Sequence, residues 1–260
     1  VNWREIDAIV EEPGGDVSVL LTNPATGRVF YAREADRAVP SASVIKTLIL
    51  AALLREESLG NLSLAETLVP GPEDRVAYSL VSILENPRWS LGDLAVLMMT
   101  VSDNTATNLL IGRIGPDRIN RVAEELGMER TRLGRKMMDF EAARRGRENR
   151  TSLSDVAILF GHLHNASWLD RGRSDRAMAI LGKQKDGSML RRFFFEEECP
   201  VAHKSGLLEG VQNDAGIFGA APGPYFLGVF VSGAREPEGK ERIGRISRRI
   251  YDRREEWNRG

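Results

Sequence analysis

Apolar positions fall into three regimes along this chain. Residues 3–11 place Trp3, Ile6, Ile9 and Val10 at helical spacing, and the PGG run at 13–15 stops that helix. VSVLLT (17–22) and RVFYA (28–32) have the β-branched and aromatic content of strands, and the intervening NPATG supplies turn residues, so the pair reads as a hairpin. From Ser43 to about Phe195 the pattern becomes mainly helical. SVIKTLILAALLREE is apolar on most sides and is expected to be buried; SLGDLAVLMMTV, NTATNLLIGRI, PDRINRVAEELG and SLSDVAILFGHLHNA follow with cap signals. Ser90 precedes Asp93 by three, Pro116 suits a first helical turn and Gly127 suits a C-terminal stop. Strand character returns after Pro200 in VAHKS, DAGIFGAA and YFLGVFVSG, the last two joined by PGP. ERIGRISRRIYDRREEW then sets Ile243, Ile246, Ile250 and Trp257 against Arg and Glu, an amphipathic helix.

Strands at both ends with helices between them predict an α/β fold. One antiparallel five-stranded sheet is built from both termini and flanked by helices, with an all-helical subdomain inserted. The expected division is 1–40 with 198–260 for the sheet part and 41–197 for the helical part, as a single folding unit. A cleft between the two parts is the default place for a site, because ligand sites favour such junctions. One stretch fits neither regime: GRKMMDFEAARRGREN (134–149) lies between helices, shows little periodicity, and carries two isolated acids, Asp139 and Glu141.

Composition narrows the chemistry. The chain has 260 residues, 42% hydrophobic and 28% charged, enough to bury a sizeable core. Thirty-six Lys and Arg against 37 Asp and Glu leave a net charge of −1, so nothing global draws the protein to nucleic acid or an anionic membrane, and a small molecule is the expected partner. Cys199 stands alone, which excludes an internal disulfide, and with three histidines it offers no metal-ligand spacing; neither metal nor cofactor is expected. Apolar runs are short and interrupted, so no membrane span is expected. The chain begins at Val1 with no Met and no basic-then-apolar leader, a start that fits a removed signal peptide.

Three short signals then appear in order. SVIK (43–46) opens the most apolar helix and puts Ser43 and Lys46 on one face, about a turn apart. A helix start leaves backbone N–H groups free, so Ser43 there could be a nucleophile and a desolvated Lys46 its proton acceptor; equally, Ser43 could be a cap and Lys46 a surface residue. SDN (102–104) sits between two helices, where Ser102 or Asp103 could simply cap the second, and KSG (204–206) ends a strand, where a polar residue and a glycine could simply close it. His203 alternates outward beside Lys204 and reads as packing, and His162 and His164 do not share a helix face.

Taken together and in this order, the S-x-x-K, S-D-N and K-S-G elements resemble those of the class A β-lactamases and penicillin-binding proteins. LMMTVSDNTATNLLIGRIG is similar to family sequence throughout, and the order of strands and helices matches end to end. By that resemblance Ser43 is the nucleophile that becomes acylated, Lys46 its proton acceptor or relay, and Ser102 the hydroxyl that passes a proton to the leaving nitrogen. Asn104 would hold the substrate's acylamino group, Lys204 and Ser205 its carboxylate, and the backbone N–H groups of Ser43 and Leu207 would form the oxyanion hole.

Two departures qualify the resemblance. Class A enzymes carry a deacylating glutamate followed by proline in the loop after the helical stretch; aligned through Arg132 and Arg135, this chain has Met137 and Met138 there. Asp139 and Glu141 are the possible substitute bases; without one the acyl-enzyme should accumulate, since a general base supplies about 10² to 10⁴-fold. Secondly, VQNDAGI puts Asn213 and Asp214 where family members that hydrolyse penicillins offer an arginine; Asp214 either opposes an anionic substrate or hydrogen-bonds buried backbone. The resemblance therefore implies a serine hydrolase acylated by β-lactams or related amides, with slow deacylation. A penicillin-binding-protein-like peptidase or esterase, and a β-lactam-acylated sensor without turnover, stay open. A monomer working outside the cytoplasmic membrane is expected, with a cytoplasmic setting also compatible.

Overall fold

A computed structural model of the chain describes residues 2–85, 88–195 and 197–258. Helix α1 (Arg4–Val10) leads into the hairpin β1 (Asp16–Thr22) and β2 (Val29–Arg33), and a short β3 (Val39–Pro40) follows. A 3₁₀ turn (Ala42–Ile45) runs into α2 (Lys46–Ser58); β4 (Thr67–Leu68) and β5 (Trp89–Ser90) pair with each other. The helical stretch continues as α3 (Leu91–Thr100), α4 (Asn104–Ile114), α5 (Pro116–Glu125) and α6 (Phe140–Arg144). After β6 (Arg150–Thr151), which pairs with β3, come α7 (Leu153–Asn165) and α8 (Arg171–Leu181). The chain closes with β7 (Val201–Leu208), β8 (Val211–Phe218), β9 (Tyr225–Ser232), α9 (Glu236–Asp252) and α10 (Arg254–Trp257).

The main sheet has five antiparallel strands in the order β2-β1-β9-β8-β7, so the two N-terminal strands join the three C-terminal ones through the β1–β9 pair. Alternation along β1 sorts its side chains. Val17, Val19 and Leu21 join α1 and α9 on one face through Ile6, Ile9, Ile243, Ile246 and Ile250, whereas Leu20 faces the helical core on the other. That second core is centred on α2, whose Leu48 to Leu54 are all at most 1% exposed; a helix apolar on every side can only sit inside. Gly228 marks the join, because a Cβ there would lie 2.4 Å from Leu153 at the start of α7.

Caps fall largely where the sequence put them. Ser90 accepts from the Asp93 backbone N–H and Gly127 adopts a positive φ of 70°. Other elements differ from expectation. The helix expected from Ser43 begins at Lys46, because Ala42 takes a φ of +47° and the next residues close a tighter turn. β8 starts at Val211 rather than Asp214, since Gln212 and Asn213 are fully buried within the sheet. Neither α6 nor α8 stands out individually in the sequence: the five-residue α6 lies in the stretch of little periodicity, and α8 within the part expected to be mainly helical.

Candidate active site

A cleft of about 1310 Å³ opens between the helical part and the edge strand β7, and Ser43, Ser102, Asn104, Ser205 and Leu207 line it. Ser43 sits in the 3₁₀ turn, with the Val44 N–H bonded back to the Ser41 carbonyl at 3.1 Å. Gly206 of β7 makes that turn accessible. A Cβ at 206 would fall 2.8 Å from the Ser43 nitrogen and 3.1 Å from the Val44 nitrogen, so only glycine lets the strand edge press against the serine turn. This gives the glycine of KSG a second meaning beyond strand closure: Gly206 sets how closely β7 approaches the Ser43 turn.

Lys46, one helical turn from Ser43, is fully buried. Its Nζ donates to the Ser102 carbonyl at 2.7 Å, the Ser102 hydroxyl at 3.0 Å and the Asn104 side-chain carbonyl at 2.9 Å. These acceptors are all neutral. Burial, then repulsion from Lys204, push its pKa well below that of an ordinary lysine, with Asp103 opposing more weakly. Such an amine can take a proton from a neighbouring hydroxyl.

The SDN turn is built around its middle residue. Asp103 is fully buried and caps α4 by accepting from the Ala106 N–H at 2.8 Å, which settles which residue of the motif is the cap. It also accepts from the Ser79 hydroxyl at 2.8 Å and the Leu80 and Val81 N–H groups at 2.6 and 3.1 Å, stapling the preceding loop to the motif. Asn104 fastens the same loop by donating to the Ala77 carbonyl at 3.1 Å. Ser102 itself is held at a φ of +58°, which turns its hydroxyl onto Lys46. Tyr78, 81% exposed at the cleft mouth, is thereby fixed in place; its sequence context gave no signal.

Lys204 is also fully buried, and its Nζ donates to the Ser205 carbonyl at 2.7 Å. Burial lowers its pKa to about 8, against the pull of Asp214 and Asp186. Neither Asn213 nor Asp214 lines the cleft. Asn213 donates to the Pro40 carbonyl at 2.9 Å, and the Asp214 carboxylate pairs with His203 Nδ1 at 2.9 Å and accepts from the Leu190 N–H at 3.1 Å. Of the two roles open to Asp214, the structure gives the second: it satisfies buried backbone.

The 134–149 loop is closed at its neck, where the Asn149 side chain accepts from the Gly134 and Arg135 N–H groups at 2.8 and 3.0 Å and Arg135 pairs with Glu148 at 2.9 Å. Asn108 of α4 grips the loop's middle, accepting from the Met137 N–H at 2.7 Å and donating to its carbonyl at 3.1 Å. Met137 and Met138 line the cleft. Asp139 and Glu141 do not: Asp139 caps α6 by accepting from the Ala142 N–H at 2.9 Å, and Glu141 pairs with Arg145 on the surface. The structure thus places both proposed substitute bases away from Ser43, spent on local helix structure. Asn108 and Asp186, one of four acids lining the cleft, were both missed. Asn108 had a readable signal, lying one turn after Asn104 on the same face of the helix.

Comparison with known proteins agrees with this geometry. A family model described as the beta-lactamase enzyme family matches residues 2–254. A β-lactamase of Streptomyces albus G is 27% identical over 82% of this chain and 71% of its own. A crystal structure of a β-lactamase from Sphaerobacter thermophilus superimposes with a TM-score of 0.87 at 28% identity, covering 97% of this chain and 98% of that one. An acyl-enzyme complex of a PBP-A mutant with penicillin G matches at a TM-score of 0.87 and 27% identity, over 97% of this chain and 96% of that one.

Proposed function

Because the chain belongs to the beta-lactamase enzyme family, we propose that it is an active-site serine hydrolase that is acylated at Ser43 by β-lactams or related amides and is deacylated slowly. The observation that carries this is Lys46: fully buried, bonded only to neutral acceptors, and one turn from Ser43. In its neutral form Lys46 gives up one of the three donated bonds, and the freed lone pair takes the Ser43 hydroxyl proton as Oγ attacks the substrate carbonyl carbon. The resulting oxyanion is held by the backbone N–H groups of Ser43 and Leu207, each worth about 3 kcal/mol to the transition state. As the C–N bond breaks, Ser102 gives its proton to the leaving nitrogen and regains one from Lys46 Nζ across the 3.0 Å hydrogen bond. Asn104 and the Lys204–Ser205 pair orient the two ends of the substrate.

Deacylation needs a water and a base. Met137 stands where class A enzymes have their glutamate, Asp139 and Glu141 cap and pair elsewhere, and Glu148 is held by Arg135. The acyl-enzyme therefore persists. The same observation favours a second reading, a penicillin-binding-protein-like peptidase or esterase for which a β-lactam is a trap. Intact-mass measurement with penicillin G tests both: one adduct is expected on the wild type and none on Ser43→Ala. An unmodified wild type would refute serine acylation. An adduct lasting hours favours the peptidase, esterase or sensor readings, whereas loss of the adduct with product release favours a β-lactamase.

A further inference from the structure

Two loops at the mouth of the cleft display side chains that neither the core nor the acylation chemistry uses. The first is residues 78–84. Leu80 opens a single turn, with the Ile83 and Leu84 N–H groups bonded to its carbonyl at 3.1 and 3.0 Å, so Leu80, Ile83 and Leu84 share one face of that turn. That face is turned outward: Leu80 is 39%, Ile83 73% and Leu84 47% exposed, beside Tyr78 at 81%. Tyr78 also holds a φ of +57°, a costly backbone state for a bulky residue, kept there by the Asn104 N–H, which bonds its carbonyl at 3.2 Å.

The second is the stretch 132–150. It has seven Arg and Lys against three acids, in a chain whose net charge is −1. The acids are engaged locally: Asp139 caps α6, Glu141 pairs with Arg145 and Glu148 with Arg135. Arg132, Lys136, Arg144, Arg147 and Arg150 are exposed and form no ion pair among the described residues. Arg132 and Arg150 are bridge partners, like charges set opposite each other at a cost in stability. Phe140, 46% exposed, shares a face of α6 with Arg144 four residues on. Helix α4 sets the two loops side by side. Asn104 holds the Ala77 carbonyl, and Asn108, one turn further along the same face, holds Met137. Tyr78 from one loop and Arg135, Met138 and Phe140 from the other line the same cleft.

We infer that the two loops form one surface that docks on an anionic lipid bilayer, Tyr78, Ile83, Leu84 and Phe140 entering the interface while Lys136, Arg144 and Arg147 meet the headgroup phosphates. This goes beyond acylation at Ser43 and does not rest on it. The two halves together select the occupant. A soluble polyanion accounts for the cations but leaves Ile83 and Leu84 in water, and a second copy docked face to face sets like charges against each other. A bilayer supplies an apolar layer under a negative one, which is what exposed apolar side chains rimmed by cations fit. The net charge of −1 does not oppose this, because attraction is felt within a Debye length of about 8 Å and so follows the local excess of cations.

Co-sedimentation of the full chain with vesicles tests it. Wild type is expected to bind vesicles of phosphatidylglycerol and phosphatidylcholine in equal parts and to stay in solution with phosphatidylcholine alone. The triple variant Lys136→Gln, Arg144→Gln, Arg147→Gln should bind about 100-fold more weakly, at about fivefold for each cation near an anionic surface. The double variant Ile83→Ser, Leu84→Ser keeps every charge and should bind at least about tenfold more weakly, through the apolar area it no longer buries. All five side chains are exposed, and circular dichroism melts matching wild type verify that both variants are folded. A wild type that ignores the anionic vesicles, or binds both compositions alike, overturns the inference. Full vesicle binding by the Ile83/Leu84 variant, with inorganic polyphosphate displacing the wild type, marks a polyanion site instead and overturns it too. So does a concentration-dependent dimer that the same Ile83/Leu84 substitutions abolish.

Discussion

Replacing Lys204 by methionine separates what this residue does for the reaction from what it costs the fold. The lysine is fully buried, and its pKa falls from 10.5 to about 8 with the attraction of Asp214 and Asp186 already included. At about 1.4 kcal/mol per tenfold, holding that ammonium protonated at pH 7 costs the folded state about 3 kcal/mol. Methionine fills similar volume without charge but gives up the hydrogen bond to the Ser205 carbonyl, worth about 1 kcal/mol. The variant should therefore be more stable than wild type at pH 7 by about 2 kcal/mol, a rise in Tm of roughly 5 °C for a chain of this size. The sign of the pH dependence follows from the depressed pKa. Between pH 8 and 10.5 the unfolded chain binds the proton that folded Lys204 has released, so wild-type stability gains a rise across that window that the variant lacks, Lys46 contributing equally to both, and the gap closes. Urea denaturation at pH 7, 9 and 10.5 reads this directly. Acylation by penicillin G should fall sharply in the same variant, because Lys46 loses the neighbouring cation that helps keep it neutral. A variant less stable than wild type at pH 7, or a stability gap that does not shrink toward pH 10.5, would refute the reasoning.

Three further outcomes are expected. The acylation rate of the wild type should decline as pH rises through about 8, where Lys204 loses its charge, and should also decline at low pH as Lys46 becomes protonated; a rate flat from pH 6 to 10 would contradict both assignments. Gly206→Ala should cut acylation by at least about 100-fold with the circular dichroism spectrum unchanged, since its Cβ would fall 2.8 Å from the Ser43 nitrogen and disturb the oxyanion hole rather than the core. Met137→Glu should shorten the lifetime of the penicillin adduct by about 100-fold, the lower end of what a general base supplies, whereas Asp139→Asn and Glu141→Gln should leave it unchanged; equal lifetimes in all four proteins would mean that water, not the base, is missing.

Much of this arrangement was legible because strong local signals and tertiary demands coincide. The apolar run of α2 could only be interior, the β1–β2 hairpin carried its turn residues, and Ser90 and Gly127 cap as their chemistry requires. Legibility failed where a distant segment decides local form. The 3₁₀ turn at Ser43 departs from helix because β7, more than 150 residues away, presses on it. Gln212 and Asn213 fell outside the strand read from DAGIFGAA, yet both lie in the sheet, where the Asn213 side chain donates to the Pro40 carbonyl. α8 buries only Ser174, Ala177, Ile180 and Leu181, too small a stripe to stand out among arginines. Within the site, the side chains that gather at the cleft were readable from three short motifs, whereas the fates of Asp139, Glu141, Asp186 and Asp214 depended on which neighbouring donor each one met.

The grip of Asn108 on the 134–149 loop has a consequence for how such an enzyme can change. Asn108 holds the main chain at 137 by both its N–H and its carbonyl, and the neck at Asn149 closes independently, so these anchors of the loop do not involve the side chain at 137. Position 137 is a socket: the scaffold fixes where a group will stand, and under the proposed function the residue plugged in sets how long the acyl-enzyme lives. Under that reading, a lineage with this architecture passes between a long-lived trap and a turnover catalyst by a substitution at 137 that leaves the Ser43, Lys46 and Ser102 cluster as it is, at the folding cost of placing a carboxylate where Met137 is buried.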